Sequence, residues 1–193
     1  MILKKTLTVV KKIKAKHPEK TIEVWAFDEH RVGLQPILRR VWAKKGIPTT
    51  VKINPHYKWI WIYAFVNPQK GETYWLLLPT VNIPLFNLAL KEFTKANNVG
   101  SDKLIILVID QAGFHNGDKI EIPQGIIPVF LPSYSPELQP AERLWPLSNE
   151  GVANRSFKDL DELEEVQIKR IKKLINQKKL ISAKTLFNWW PIV

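Results

Sequence analysis

Residues 103–110 read KLIILVID, a continuous apolar run from Leu104 to Ile109 that ends in an acid. A short run without alternation is typical of a strand that is buried on both faces of a sheet. An earlier stretch, TIEVWAFDE at residues 21–29, alternates like a second strand and carries Asp28 on the same side as Ile22, Val24 and Ala26. In both predicted strands, therefore, an aspartate follows a row of apolar side chains.

The segments between and after these strands fit one sheet with helices around it. KWIWIYAFVN (58–67) and ETYWLLLPT (72–80) read as two strands joined by the turn PQKG (68–71), which predicts a hairpin. Both sides of the first of these strands are apolar, so we expect both faces of the sheet to be covered. Residues 83–97 fit a helix and residues 126–132 a further strand. The order predicts an α/β fold with a mixed central sheet and helices on both faces.

Helices are also predicted at the two ends of the chain. Residues 3–16 carry apolar side chains at helical spacing among lysines, which indicates an amphipathic helix. Residues 156–179 read as one helix with Ser156 as its N-cap, with acids in its first half and bases in its second. We therefore predict a basic N-terminal helix or extension at residues 1–20 and one domain at residues 21–193.

The composition limits the possible functions. The 193 residues include 29 Lys and Arg against 18 Asp and Glu, a formal net charge of +11, which favours a polyanionic partner and nucleic acid before an anionic membrane. Cysteine is absent, which excludes disulfides, thiolate metal sites and thiol catalysis. No apolar run approaches the ~20 residues of a membrane span, and the basic N-terminus lacks the apolar core of a signal peptide. We expect an intracellular protein.

Asp28 and Asp110 follow strands whose ends are expected to meet. Ligands gather at the carboxyl ends of parallel strands in α/β sheets. If a right-handed crossover through the 83–97 helix brings these two strands side by side, the carboxylates can lie a few ångströms apart, at about the 4.8 Å strand spacing. Two anions at that distance need a cation, and hard carboxylate oxygens without any thiolate favour magnesium. His115 alone does not make the ligand set of a zinc or iron site.

A third acid, Glu142, lies in LPSYSPELQPAERLW at residues 131–145. Pro140 suits the first position of a helix, which puts Glu142 in the first turn, where the helix dipole favours an ionised acid. Pro146 removes the hydrogen bond to the carbonyl of Glu142, so we predict a kink beside the acid. Two aspartates at a sheet edge and a carboxylate on a following helix are what two-metal phosphoryl transfer requires.

Each of these acids also has a plainer interpretation or a rival. Either aspartate alone would be interpreted as a strand-end or turn-capping residue. Glu29 competes with Asp28 but falls on the opposite face of the strand, and Glu137 competes with Glu142 but precedes the predicted helix. Trp145, one turn after the third acid, is more often a core anchor than a base-stacking residue.

The region between the first strand and the hairpin is strongly basic. From His30 to Gly71 there is no acidic residue, while lysine and arginine accumulate among prolines and glycines. Such side chains contact phosphates and position DNA without reading its sequence. The predicted DNA contacts are Arg31, Arg39, Arg40, Lys44, Lys45, His115 and Arg143.

Three motifs carry a resemblance that covers nearly the whole chain from about residue 21. FDEHRVGLQP with RRVWAKKG surrounds the first acid, LVIDQAGFH the second and LPSYSPELQPAERLW the third. In this order they resemble the catalytic domain of the mariner-like bacterial insertion-sequence transposases, which are DDE superfamily endonucleases with an RNase H-like fold. The resemblance implies that residues 21–193 are this catalytic domain. It also implies that Asp28, Asp110 and Glu142 are the catalytic triad and bind two Mg²⁺ or Mn²⁺ ions.

The resemblance further implies cut-and-paste transposition, in which element ends are cleaved and a 3′-hydroxyl then attacks target DNA. The expected partners are double-stranded DNA and a second copy of the chain, in the bacterial cytoplasm at the nucleoid. Family members normally carry helix-turn-helix domains before the catalytic domain. We therefore expect a split-frame product or a truncated copy, with a possible separate helix-turn-helix partner. The alternatives are a catalytically inactive DNA-binding remnant and an RNase H-like nuclease for RNA–DNA hybrids.

Two positions depart from the family pattern. Gln111 stands where the family commonly has Asn after the second aspartate, and Gln139 stands where Asn usually precedes the proline. Asn is a better N-cap than Gln, so the second change predicts a weaker cap for the helix that carries Glu142.

Overall fold

The computed structural model describes residues 2–113, 115, 119–133 and 135–193. Phe114 and Tyr134, which belong to two of the quoted motifs, lie outside the described residues. The regular elements are, in chain order, α1 (Ile2–Lys16), β1 (Thr21–Gly33), β2 (Trp59–Asn67), β3 (Glu72–Leu78), α2 (Ile83–Ala96), β4 (Lys103–Ile109), β5 (Ile126–Phe130), 3₁₀ helices Pro136–Leu138 and Pro140–Leu144, α3 (Trp145–Ser148), a 3₁₀ turn Asn149–Gly151, α4 (Leu160–Ile175) and α5 (Lys178–Thr185).

The strands form a mixed sheet in the order β3-β2-β1-β4-β5. β1 and β2, and β2 and β3, pair antiparallel, whereas β1 and β4, and β4 and β5, pair in parallel. The chain passes from β3 to β4 through α2, the crossover that a parallel pair requires. The predicted α/β architecture, the hairpin and the parallel pairing of the two acid-bearing strands are confirmed.

The turn of the hairpin depends on Asn67 and Gly71. The Asn67 carbonyl accepts a hydrogen bond from the Gly71 amide at 2.8 Å, and its side-chain oxygen accepts one from the Lys70 amide at 3.1 Å. Gly71 has a φ of +66°, and a Cβ there would lie 1.9 Å from the carbonyl oxygen of Lys178. Glycine is therefore required, because any side chain would meet α5 and would strain the backbone.

Both faces of the sheet are buried, as the two apolar faces of β2 predict. On one face, here called the α2 face, aromatic side chains of β1 and β2 pack against α2, and Phe65 stacks on Phe93 with ring centroids 4.1 Å apart. Helix α2 is capped by Asn82, whose side chain accepts from the Leu85 amide at 2.9 Å. The opposite face, here called the α4 face, packs against later helices through Leu144, Trp145, Leu163, Ile171 and Ile181. Helix α1 adds Val10 to the same face.

The C-terminal helical region differs from the single helix predicted for residues 156–179. The first helix, α4, begins at Leu160, and its N-cap is Asp159 rather than Ser156, because the Asp159 side chain accepts from the Glu162 amide at 3.0 Å. The helix ends at Ile175, where the Asn176 side chain donates to the carbonyl of Lys172 at 3.0 Å. A second helix, α5, then begins at Lys178. None of the helices in the described part of the chain is long and apolar enough to cross a membrane.

Residues 34–58 connect β1 to β2 without regular secondary structure, and we call them the basic arm. Most of the arm is exposed, and the Trp42 side chain lies entirely in solvent at 104% relative exposure. Two points tie it to the body of the protein. Asn154 accepts from the Arg39 amide at 2.8 Å and donates to the Arg39 carbonyl at 2.9 Å, and Asn54 donates to the Phe157 carbonyl at 2.7 Å. The arm is thus anchored at two points with an exposed stretch between them.

Candidate active site

Asp28 and Asp110 are set beside each other by the register of two parallel strands. The parallel ladder runs from Thr21 opposite Lys103 to Ala26 opposite Val108, and the same register continued by two residues places Asp28 opposite Asp110. β1 itself continues to Gly33, paired with β2 alone. Asp28 therefore lies within its strand, not at the strand end that the sequence predicted. It lies instead at the end of the parallel ladder, which is the position that matters for a ligand.

Glu142 is brought to the same place by the 3₁₀ helix Pro140–Leu144. Pro140 occupies its first turn, as predicted, and Gln139 is its N-cap. The Gln139 side-chain nitrogen also donates to the carbonyl of Phe27 at 2.9 Å, which ties the helix to β1 directly before Asp28. The carbonyl of Glu142 accepts from the amide of Trp145, three residues on, because Pro146 has no amide hydrogen to offer. The predicted kink thus takes the form of a 3₁₀ turn that leads into α3.

The three acids line one cavity of about 360 Å³. The remaining lining mixes polar and apolar side chains and comes from the segments after β4 and β5: Gln111, Ala112, Leu131, Pro132, Ser133, Ser135, Pro136 and Gln139. Gln111 is fixed there, since its side-chain nitrogen donates to the Leu131 carbonyl at 2.8 Å and its oxygen accepts from Ser133 at 3.2 Å. The cavity therefore opens at the carboxyl ends of β4 and β5, between two loops that are joined by hydrogen bonds.

Asp28 is the most strongly perturbed of the three acids. Burial raises its pKa well above the usual range, and the charges of Glu29 and Glu142 raise it further. The indole N–H of Trp145 donates to Asp28 Oδ2 at 3.1 Å and opposes this shift. Trp145 is itself held by the ring of His30, which stacks on it at a centroid distance of 4.9 Å with 14° between the planes. Trp145 is thus both the core anchor that the sequence suggested and a hydrogen-bond donor to the first acid.

Asp110 is more exposed and is held by donors. His115 Nδ1 lies 2.5 Å from Asp110 Oδ1, and the Ala112 amide donates to the same oxygen at 3.0 Å. The hydrogen bond from His115 is the main reason that the pKa of Asp110 is lowered. The other ring nitrogen of His115, Nε2, lies 2.9 Å from Glu29 Oε1. Burial opposes a charge on His115, but the bonds to Asp110 and Glu29 outweigh it and raise the pKa of the imidazole to about 9.

Glu142 is half-buried and shares the field of the aspartates. Burial raises its pKa, the charge of Asp110 adds to this, and Arg143 opposes it. Ionised acids that raise one another's pKa values stabilise a cation placed among them, and an all-oxygen donor set suits Mg²⁺ or Mn²⁺. The chemistry of the residues therefore fits divalent metal.

The three acids do not form a closed cluster of metal ligands in the structure. Among the described residues, no three His, Asp or Glu side chains converge closely enough to hold a metal ion by themselves. Like charges repel, so carboxylates without a cation between them stand apart. Mg²⁺ usually takes only one or two carboxylates, with water and substrate phosphate completing its octahedron.

The rival acids lie away from the cavity. Glu137 is exposed on the 3₁₀ helix Pro136–Leu138 and does not line it. Glu29 points to the α2 face, as its position in the strand predicts, and its side chain is hydrogen-bonded to the site through His115. The sequence predicted that His115 contacts DNA. In the structure its side chain is instead 0% exposed.

The other candidate DNA contacts lie at the surface near the cavity or on the basic arm. The Arg31 guanidinium lies over the Trp59 ring at 5.1 Å, and that of Arg143 lies over Phe187 at 5.5 Å. Arg39 donates to the carbonyl of Pro146 at 2.6 Å and so holds the base of the arm beside α3. Arg40, Lys44 and Lys45 are exposed on the arm itself.

A mixed sheet in which a parallel ladder leads to two aspartates, with a third acid on a following helix, is the arrangement expected of an RNase H-like endonuclease domain. The chain belongs to the DDE superfamily endonuclease family, whose sequence model matches residues 23–164. It is 33% identical over 132 residues to the uncharacterized protein y4pE/y4sA of Sinorhizobium fredii, a match that covers 68% of this chain and 96% of that protein.

Solved structures of the Mos1 mariner transposase share the fold. A pre-cleavage Mos1 transpososome gives a TM-score of 0.58 at 16% identity, over 94% of this chain and 60% of that chain. A Mos1 paired-end complex with Mg gives 0.56 at 17% identity, over 95% and 62%. The isolated Mos1 catalytic domain gives 0.52 at 15% identity, over 94% and 90%. The chain thus spans about three fifths of the Mos1 chains in the DNA complexes, and the predicted RNase H-like fold is confirmed.

Proposed function

We propose that this domain performs divalent-metal-dependent cleavage and strand transfer of DNA in the cut-and-paste transposition of an insertion sequence. The observation that carries the proposal is the single cavity at the end of the parallel ladder that Asp28, Asp110 and Glu142 line together. Membership of the DDE superfamily endonucleases supports it, as does the shared fold of Mos1, whose solved structures include paired-end complexes with Mg and with Mn.

The proposed reaction has two phosphoryl-transfer steps. In the first, water attacks a phosphorus atom at the element end, the P–O3′ bond breaks, and the DNA is left with a 3′-hydroxyl and a 5′-phosphate. In the second, that 3′-hydroxyl attacks a phosphorus atom of target DNA, forms a new P–O3′ bond and releases the 3′-hydroxyl of the target. Two divalent cations, when bound, activate the attacking oxygen and neutralise the leaving one.

The residues of this chain supply position and charge for these steps. Asp110 Oδ1 accepts from His115 and the Ala112 amide, which leaves Oδ2 for the cavity, and Asp28 on the neighbouring strand accepts from the Trp145 indole through Oδ2. Glu142 closes the cavity from the helical layer, and Gln139 fixes the distance of that layer from β1. Ser133 and Ser135 line the cavity. Their hydroxyls donate to the Gln111 side-chain oxygen at 3.2 Å and to the Ser133 carbonyl at 3.4 Å, and so order this part of the wall.

Charge favours a DNA path along the basic arm. The chain carries a net charge of +11, and the arm contributes exposed Arg40, Lys44 and Lys45 without any acid between His30 and Gly71. Because the arm is anchored beside α3 by Arg39, a duplex bound along it would lead to the cavity. We propose a second copy of the chain as the partner that pairs element ends, and a separate helix-turn-helix protein as the partner that recognises them. We also propose that the assembly acts at the nucleoid, where its DNA substrate lies.

A nicking assay on supercoiled plasmid tests the proposal. Wild-type protein with Mg²⁺ is expected to convert supercoiled plasmid to open circles. The variants D28N, D110N and E142Q are expected to lose this activity by about 100-fold, the upper end of the loss that follows removal of a metal ligand's partner. The matched control is E137Q, which neutralises an acid on the neighbouring 3₁₀ helix outside the cavity.

The outcomes separate this function from its alternatives. Wild-type and D110N proteins that nick equally well would remove the proposed site. Salt-sensitive DNA binding without nicking in Mg²⁺ or Mn²⁺ would identify a DNA-binding remnant, and a preference for RNA–DNA hybrid over duplex DNA would identify an RNase H-like nuclease.

A further inference from the structure

Glu29 has no part in the proposed chemistry, yet it is nearly as buried as the core around it. Its side chain is 5% exposed on the α2 face of β1, opposite to the cavity. A carboxylate in such a place is costly unless it is paired and hydrogen-bonded. Its partner is His115, whose Nε2 lies 2.9 Å from Glu29 Oε1. The burial of this acid therefore has to be explained through the histidine.

His115 bridges two acids that lie on opposite faces of the sheet, Glu29 on β1 and Asp110 directly after β4. Its side chain is 0% exposed, and its ring packs against Phe86 at a centroid distance of 4.6 Å and against Phe27 at 5.6 Å. Its second nitrogen, Nδ1, lies 2.5 Å from Asp110 Oδ1. Both acids accept, so the ring donates from both nitrogens when both carboxylates are ionised. The aromatic slot fixes the plane of the ring, and the two acids fix its rotation.

The consequence for Asp110 is a single orientation. Asp110 follows the last residue of β4, and its side chain is 48% exposed, so little packing restrains it. Oδ1 accepts from both His115 Nδ1 and the Ala112 amide. With Oδ1 occupied in this way, Oδ2 is the oxygen that remains for a ligand in the cavity.

We propose that Glu29 and His115 are positioning residues that hold the Asp110 carboxylate in the orientation in which it binds the divalent cation. The inference rests on the proposed function, because it takes Asp110 as a metal ligand. Partners of metal-binding carboxylates are part of the design of metal sites, and their removal typically weakens metal affinity by about 10- to 100-fold.

Two substitutions of His115 separate its contact with Asp110 from its contact with Glu29. In H115N the amide nitrogen occupies the place of Nδ1, so the donor to Asp110 is retained and the contact with Glu29 is lost. In H115Q the longer amide reaches toward Glu29 and the donor to Asp110 is lost. The variant E29Q keeps an acceptor for Nε2 and removes the charge.

The matched control is E23Q. Glu23 is a second buried glutamate on β1, with a side chain 6% exposed, and it is paired with Lys70 and Lys103 at the other end of the strand. Its substitution perturbs a buried ion pair in the same strand without touching the cavity. The measurement is the dissociation constant for Mn²⁺ without DNA, by electron paramagnetic resonance of the free ion, with thermal unfolding of each variant in parallel.

Support for the inference is an Mn²⁺ dissociation constant that is raised at least about 10-fold in H115Q, less in E29Q and H115N, and unchanged in E23Q. A merely structural role predicts lower melting temperatures with unchanged metal affinity, and this result in the folded variants would overturn the inference. If H115Q does not fold, an E29Q protein that folds and binds Mn²⁺ as wild type does overturns it equally. The variant D110N distinguishes failure of the proposed function from failure of the positioning role. Unchanged Mn²⁺ binding in D110N would refute the proposed metal site, and the positioning role would fall with it.

Discussion

Replacement of Asp28 by asparagine should stabilise the metal-free protein while it abolishes cleavage. Asp28 is largely buried, and burial with the charges of Glu29 and Glu142 raises its pKa well above the usual range. Ionised Asp28 therefore destabilises the folded state. Asparagine has nearly the same shape, and its side-chain oxygen can still accept the hydrogen bond from the Trp145 indole. The substitution removes the unfavourable charge and keeps the packing.

The expected gain follows from the cost of a buried charge. A buried group that is incompletely compensated costs about 1–3 kcal/mol, and more when it is charged. For a chain of this length each kcal/mol corresponds to roughly 2–4 °C in melting temperature, so the D28N protein should melt about 2–12 °C higher at neutral pH. The gain should depend on pH. Because the folded-state pKa of Asp28 is raised, ionisation of Asp28 costs the wild type stability as pH rises from the ordinary carboxyl range through that pKa, and D28N lacks this contribution.

Urea unfolding followed by tryptophan fluorescence, in EDTA at pH 5 and pH 8, measures the difference. The D28N protein should exceed the wild type more at pH 8 than at pH 5. Added Mn²⁺ should narrow or reverse the gap, because the cation binds the wild type and relieves the same repulsion. The control E137Q, an exposed acid outside the cavity, should show no difference. A metal-free D28N protein that is less stable than the wild type at pH 8 would refute the electrostatic account of this site.

Three further substitutions test other parts of the structure. E23Q should lower the free energy of unfolding by about 1–3 kcal/mol in urea titrations. Burial raises the pKa of Glu23, but hydrogen bonds from Lys70, Trp25 and Lys103 outweigh burial and lower the pKa. The stability that ionised Glu23 contributes is therefore present above the ordinary carboxyl pKa and is lost as pH falls below it. Replacement of Arg40, Lys44 and Lys45 on the arm by alanine should weaken duplex binding in anisotropy titrations and should reduce the slope of log affinity against log salt concentration by about 2–3. The control makes an equal charge change on α4, with alanine at Lys169, Lys172 and Lys173. G71A should destabilise the protein by at least about 1–3 kcal/mol in thermal unfolding, since its Cβ would lie 1.9 Å from the Lys178 carbonyl, and near-wild-type stability would contradict the positive-φ turn.

The parts of the fold that could be predicted are those fixed by local patterns. The apolar run of β4, the alternation of β1 and the two apolar faces of β2 specify strands and burial without knowledge of any partner. The adjacency of Asp28 and Asp110 could also be predicted, because a crossover helix between parallel strands has one common handedness. The register, the hairpin and both covered faces confirm these expectations.

The contacts that orient the acids could not be predicted, because they join distant parts of the chain. Trp145 reaches Asp28 across 117 positions, and His115 reaches Glu29 across 86. Nothing local distinguishes a tryptophan that packs in a core from one whose N–H also serves a carboxylate. The contacts of Gln139 could not be predicted for the same reason. Its side-chain oxygen accepts from the Ala141 amide at 3.5 Å, a long capping bond. Its side-chain nitrogen donates to the Phe27 carbonyl, a tertiary contact that N-cap propensity does not include.

The position of the cavity follows from the strand order itself. From β1 the chain adds β2 and β3 on one side of the sheet, and after α2 it adds β4 and β5 on the other. The order therefore reverses between β1 and β4, and at such a switch point the following segments diverge and leave a crevice beyond the strand ends. β1 continues past this point with β2 alone, which makes Asp28 part of the cavity wall, while Asp110 begins the loop that leaves β4. Two aspartates in register on these adjacent strands will lie side by side on one face of the sheet in a chain with this topology. Glu142, by contrast, requires the helical layer to bring it to the cavity.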